Sequence, residues 1–154
     1  MINRYLMEPV NILLRSVKQL EEESLNTYQI YGDITDHFGL KRLLLALEAD
    51  VASHIKTVTE ILLNPSIASL FSSEKAAVLP ASFPEVEYAF DANMAYQDFL
   101  QMILRREQAV AERYEALESA ASDNDTRFIF KRMAEDCQKH VWLAKDRYDL
   151  EALI

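Results

Sequence analysis

Apolar side chains recur at three- and four-residue steps through four long stretches of this chain, a period that only a helix turns into one continuous face. The first stretch runs from about Pro9, a residue suited to the first helical position, to Asp36, along Val10, Leu13, Val17, Glu21, Ser24, Tyr28 and Tyr31. The second, from about Leu40 to Leu63, carries Leu43, Leu47, Val51, His54, Val58 and Ile61. Asn64-Pro65 ends it, because the residue before a proline is held out of the helical region. A third, about Phe90 to Ala121, carries Phe99, Ile103, Glu107, Val110, Tyr114 and Leu117. The fourth, about Thr126 to Leu150, carries Met133, Cys137, His140, Ala144 and Tyr148. At about 1.5 Å per residue, each helix would be roughly 35 to 45 Å long. Two glycines and four prolines in 154 residues are too few for the turns of a β-sandwich or barrel, or for a glycine-rich nucleotide loop.

Two connections are short, Asp36 to Gly39 and Ser122 to Asp125, and short links join antiparallel neighbours. The stretch between them, Pro65 to about Ala89, holds three of the four prolines and is long enough to travel the length of a bundle. The predicted fold is therefore all-α, one domain over 1–154, with helical hairpins at about 9–63 and 90–150 joined by a crossover at 64–89. A four-helix bundle with one long crossover is the ferritin-like arrangement, and an up-down-up-down bundle needs no such link. Ile67, Leu70, Phe71, Val78 and Leu79 give the crossover enough apolar residues for short helices or for a contact with a second copy. The excess of 25 Asp and Glu over 16 Lys and Arg gives a formal charge of −9, which repels phosphate backbones and anionic lipid, so neither nucleic acid nor a membrane is an expected partner. A single cysteine excludes an internal disulfide and any four-cysteine or Cys₂His₂ zinc site. There is no long uncharged apolar run and no signal-peptide pattern at the start, so a cytoplasmic protein is expected.

The two hairpins repeat one another. Glu21 and Glu107, Tyr28 and Tyr114, Asp50 and Asp136, and His54 and His140 each lie 86 residues apart, and the same offset superposes the two short loops. Only two copies exist, so this is a single helix-pair duplication and not a solenoid. Each glutamate falls between apolar neighbours on a stripe expected to face the core, and each histidine interrupts the stripe of the following helix. An aspartate precedes each histidine by four residues, on nearly the same face. Four inward carboxylates repel one another and cost stability unless they are hydrogen-bonded, ion-paired or bound to metal. Imidazole with carboxylate suits iron, manganese or zinc, whereas calcium wants more oxygen ligands. The candidate metal ligands are Glu21, Asp50, His54, Glu107, Asp136 and His140. Plainer readings stand beside this one: glutamates reaching to solvent, histidines satisfied inside a core, and aspartates bonded to their own histidines one turn away. Tyr28 and Tyr114 read as core residues with bonded hydroxyls, Cys137 as a small buried hydrophobe, and His37 as a loop residue outside any motif.

Glu-x₆-Tyr on the first and third helices, with a histidine 26 residues beyond each tyrosine, resembles the rubrerythrin-type branch of the ferritin-like di-iron carboxylate proteins. The resemblance covers nearly the whole chain, including LEEESLNTY at 20–28 and EVEYAF at 85–90. It implies that Glu21 and Glu107 are the lone glutamates of the two halves and that His54 and His140 are the histidines of two Glu-x-x-His motifs. It also implies two irons, chemistry on peroxide or dioxygen, and a homodimer. The chain departs from the pattern at Val51 and Cys137, where the motif glutamates would stand, and Val110 replaces a ligand that some members add. Asp50 and Asp136 sit one residue before the lost positions, rotated by about 100°. Four cysteines for a rubredoxin-type iron domain are absent.

Three functions of different classes follow. One is a rubrerythrin-like redox protein with two irons. The second is a single-metal binding protein, with manganese or zinc as the other cations. The third is a metal-free bundle serving as a structural or interaction module, its ligand remnants forming a hydrogen-bonded core.

Overall fold

The computed structural model describes residues 8–80, 82–86 and 90–152. The expected crossover residues Ala81 and 87–89, and with them part of EVEYAF, lie outside the described residues. Among the described residues the chain forms five α-helices: α1 (Glu8–Ile34), α2 (Phe38–Leu63), α3 (Ser73–Ala76), α4 (Tyr96–Ala120) and α5 (Asn124–Ala152). A turn of 3₁₀ helix covers Ile67–Leu70. No described helix is long and apolar enough to cross a membrane.

The four long helices follow the apolar stripes, and their ends follow local chemistry. Glu8 in the first turn of α1 places negative charge at the positive end of the helix dipole. At Asn64 the backbone turns extended, as the following proline requires. Asp123 caps α5 by accepting from the Thr126 backbone N–H at 2.7 Å, a bond that also holds its carboxyl below the usual carboxylate range. The third helix starts at Tyr96 and not at Phe90. Asp91 there takes the Asn93 N–H on its side chain and the Met94 N–H on its carbonyl, a side-chain-braced turn that competes with helix. Phe90 still packs inward, edge-on to Tyr31 and Phe99.

Contacts between helices fix their directions. Tyr28 of α1 reaches Glu107 of α4, and Glu21 is reached by Tyr114, so α1 and α4 run antiparallel. Asp50 meets His140, and His54 meets Asp136, so α2 and α5 also run antiparallel. Short loops join α1 to α2 and α4 to α5. It follows that α2 and α4 point the same way, and the chain between them must return along the bundle. Its course is pinned at successive heights. Ser72 N–H donates to Ala120 at the far end of α4, Arg113 donates to the Pro84 carbonyl midway, and the Tyr31 hydroxyl donates to the Met94 carbonyl at the top. Within the crossover, Ser73–Ala76 forms a short helix and Phe71 and Ala76 are buried, while Val78 is exposed.

Two apolar clusters fill the bundle. One gathers Val10, Leu14, Val58, Leu117 and Phe130 near the start of α1, and the other gathers Tyr31, Leu44, Leu47, Phe99 and Ile103 near its end. Between them lies a polar layer.

Candidate metal centre

Glu21, His54, Glu107 and His140 are 0%, 2%, 1% and 1% exposed, so all four predicted inward residues do face the interior. The stripes explain this. Glu21 shares its face with Val17 and Tyr28, and Glu107 shares its face with Ile103, Val110 and Tyr114, so burying the apolar members carries the carboxylates in with them.

The layer is two hydrogen-bonded quartets, each drawing one residue from every long helix. In the first, His54 Nδ1 lies 2.7 Å from Glu21 Oε2 and His54 Nε2 lies 2.8 Å from Asp136 Oδ2, while the Tyr114 hydroxyl donates to the same Glu21 Oε2 at 3.0 Å. In the second, His140 Nδ1 lies 3.2 Å from Glu107 Oε2 and Nε2 lies 2.7 Å from Asp50 Oδ2, while the Tyr28 hydroxyl donates to Glu107 Oε1 at 2.9 Å. Each aspartate thus serves the histidine of the opposite hairpin. Bonding to its own histidine, one turn along, is not what occurs, because α2 and α5 cross at this height and bring the other imidazole nearer. Asp50 and Asp136 touch the outer nitrogens and keep side chains 40% and 33% exposed, so they line the rim of the candidate ligand set and not its interior.

A carboxylate only accepts hydrogen bonds, so a histidine held between two ionised carboxylates carries protons on both nitrogens. Burial works against that charge, but the bond and charge of Glu21, and then those of Asp136, raise His54 to about 9. His140 is raised the same way, against its own burial, by Glu107 and Asp50. Burial, and the nearby charge of Glu107, hold Glu21 above the usual carboxylate range despite its bonds to His54 and Tyr114. Both tyrosine hydroxyls are pushed well up by burial and by the glutamates they touch.

Two residues outside the predicted ligand set belong to this layer. Cys137, fully buried, has its thiol pushed well above its ordinary value by burial and by the charges of Glu107 and Glu21. One donor atom from each of Glu21, His54 and Cys137 lies within 4.8 Å of the others. Arg106, 1% exposed, donates from Nε to Ser24 Oγ at 3.0 Å and from Nη2 to the Leu20 carbonyl and to Glu23. Its position was readable, since it lies three residues after Ile103 and four before Val110, in phase with the stripe.

No protein-family model, no curated protein and no solved structure matches this chain. The chemistry of the centre therefore has to be argued from its own atoms. Two buried carboxylates, two imidazoles and a thiol form a donor set suited to a transition-metal ion. Glu21 Oε1 adds a direct indication, because it is buried with no hydrogen-bond partner among the described residues. Val51, fully buried, contributes only methyl groups.

Proposed function

We propose that this chain is a ferritin-like, rubrerythrin-related bundle protein that holds a transition-metal ion between its two hairpins, on the inner donors Glu21, His54, Glu107 and His140. The orientation of the histidines carries this reading. Each has its outer nitrogen bonded to an aspartate from the other hairpin and its inner nitrogen directed at a buried glutamate. A carboxylate on the outer nitrogen is the arrangement that fixes the tautomer and raises the basicity of a metal-ligating imidazole. The helix directions and the returning crossover support the ferritin-like part of the proposal.

The donors fit one ion better than a carboxylate-bridged pair, since Val51 and Cys137 stand where the resemblance asks for two further glutamates. A bound ion supplies Lewis acidity and, as iron, one-electron chemistry toward dioxygen or peroxide, the oxidoreductase activity that the resemblance implies. The chain's own residues prepare the place for it. Glu21 and Glu107 supply negative charge inside two apolar layers that exclude water, where attraction for a cation is least screened. Tyr28 and Tyr114 hold the carboxylates in orientation. His54 and His140 give up their Nδ1 protons when a cation arrives, and the partly exposed Asp136 and Asp50 stabilise the remaining Nε2–H from the solvent side.

The deciding experiment is elemental analysis after loading with iron(II), and separately with zinc, followed by dialysis. The expected result is metal retained by the protein and lost in a His54→Ala/His140→Ala double variant. Protein that comes through loading metal-free, and whose stability is unchanged in strong chelator, would overturn the reading. The metal-free structural or interaction module would then stand in its place. One observation favours that second reading: all four ring nitrogens already have protein partners, so the histidines are satisfied without a cation and the layer can set the register of the four helices.

A further inference from the structure

The two halves of the centre are unequal in donors. Cys137 occupies on α5 the place that Val51 occupies on α2, 86 residues earlier, and both side chains are fully buried. The Cys137 thiol lies beside both Glu107 and Glu21, but a three-way convergence of donor atoms within 4.8 Å occurs among Glu21, His54 and Cys137, and among the described residues no such group forms around Glu107 and His140. Glu21 supplies a second, independent sign. Its two hydrogen-bond donors converge on Oε2 and leave Oε1 buried without a partner, whereas each oxygen of Glu107 accepts a bond.

We infer that Glu21, His54 and Cys137 form a three-donor site for a single borderline divalent cation of the zinc class, and that the Glu107–His140 half holds none of its own. The inference rests on the reading above that the centre binds a metal ion, and it changes the ligand set, exchanging Glu107 and His140 for Cys137. Thiolate and imidazole together select zinc or cobalt(II) over manganese and magnesium, which prefer oxygen. Three protein donors leave the fourth position of a tetrahedral ion for water or a small ligand. Binding balances without any redox partner. The thiol proton and the His54 Nδ1 proton leave to solvent, a sulfur–metal and a nitrogen–metal bond form, and the 2+ charge of the ion replaces the two protons released.

Cobalt(II) titration of the chelator-stripped, reduced protein tests this, with visible and near-ultraviolet absorption as the readout and zinc added afterwards as competitor. The expected result is one cobalt per chain, a thiolate-to-cobalt charge-transfer band, the visible bands of a four-coordinate ion, and displacement by zinc. Cys137→Ser should remove the charge-transfer band and weaken cobalt binding by more than about 100-fold, beyond the loss from a residue that merely orients a ligand. Val51→Cys should create a second thiolate site and raise the stoichiometry to two. Cobalt bound without a thiolate band, unaffected by Cys137→Ser, or two ions bound by the unaltered protein, would overturn this inference while leaving the metal-binding reading intact. No binding at all would overturn both.

Discussion

The first quartet, around Glu21, and the second, around Glu107, have the same four residue types in the same roles but spend their hydrogen bonds differently. His54 sits 2.7 Å from its glutamate and His140 sits 3.2 Å from its own. Glu21 takes both donors on one oxygen, and Glu107 takes one donor on each. The neighbours differ as well: the Cys137 thiol lies beside both glutamates but forms a three-donor group only with Glu21 and His54, and the buried guanidinium of Arg106 belongs to the hairpin of Glu107. Two hairpins of matching topology thus surround chemically unequal quartets. One quartet is a closed hydrogen-bonded core, and the other keeps an unpartnered carboxylate oxygen beside a soft donor.

The largest effect should come from cutting either quartet at its histidine. Removing one partner of a buried ionic network leaves its carboxylate uncompensated, which costs about 3–5 kcal/mol. In chelator-treated protein, His54→Ala and His140→Ala should lower urea-unfolding stability by similar amounts, because both imidazoles bridge two carboxylates. Added zinc should break the equality, stabilising the protein and His140→Ala but not His54→Ala. Equal stabilisation of both variants would mean that the halves are equivalent after all.

A pH series sharpens the same comparison. His54 titrates at about 9 in the fold against 6.5 in the open chain, so its contribution is fully present below pH 6.5 and is lost as pH rises through about 9. For metal-free protein the expected loss over that window is up to about 3 kcal/mol. Asp136→Asn should shrink it by removing one of the two charges that raise the imidazole. Stability that is flat from pH 6.5 to 9 would show that the quartets are not held by imidazolium.

Arg106 has Leu20 as its counterpart in the first hairpin, so Arg106→Leu makes the two hairpins alike at this position. The loss of charged hydrogen bonds to Ser24 and the Leu20 carbonyl should cost about 2–3 kcal/mol by thermal or urea unfolding. A neutral result would assign the guanidinium no structural role.

Much of this was legible in the sequence, and the limits are physical. Period 3.6 reports which face of a helix is buried, so Glu21, His54, Glu107 and His140 could be placed inward from spacing alone. Period says nothing about the height at which two helices cross, so whether Asp136 met His140 or His54 could not be read. The 86-residue offset paired residues correctly but, being a symmetry, hid the asymmetry between Val51 and Cys137 that the packed interior turns into different surroundings. Arg106 was missed although its phase was in plain view, because a lone arginine on an apolar stripe reads as a charge reaching outward until a carbonyl and a hydroxyl are found to hold it inside. The start of α4 was misplaced because the braced turn at Asp91 competes with helix through a side chain, which hydrophobic period does not register.

The finest test separates the quartets by one hydroxyl each. Tyr28→Phe removes the donor to Glu107 Oε1, leaving that oxygen buried and unbonded, at a cost of about 1–2 kcal/mol. Tyr114→Phe removes a donor from Glu21 Oε2, which still accepts from His54, so its cost should be smaller, about 0.5–1 kcal/mol. The difference has a chemical consequence beyond stability. Tyr28→Phe gives Glu107 the same free oxygen that Glu21 already has, yet with the one buried thiol already drawn into the group with Glu21 and His54 the second half should still fail to capture cobalt. If Tyr28→Phe alone raised the stoichiometry to two ions per chain, the free carboxylate oxygen, and not Cys137, would be what distinguishes the halves.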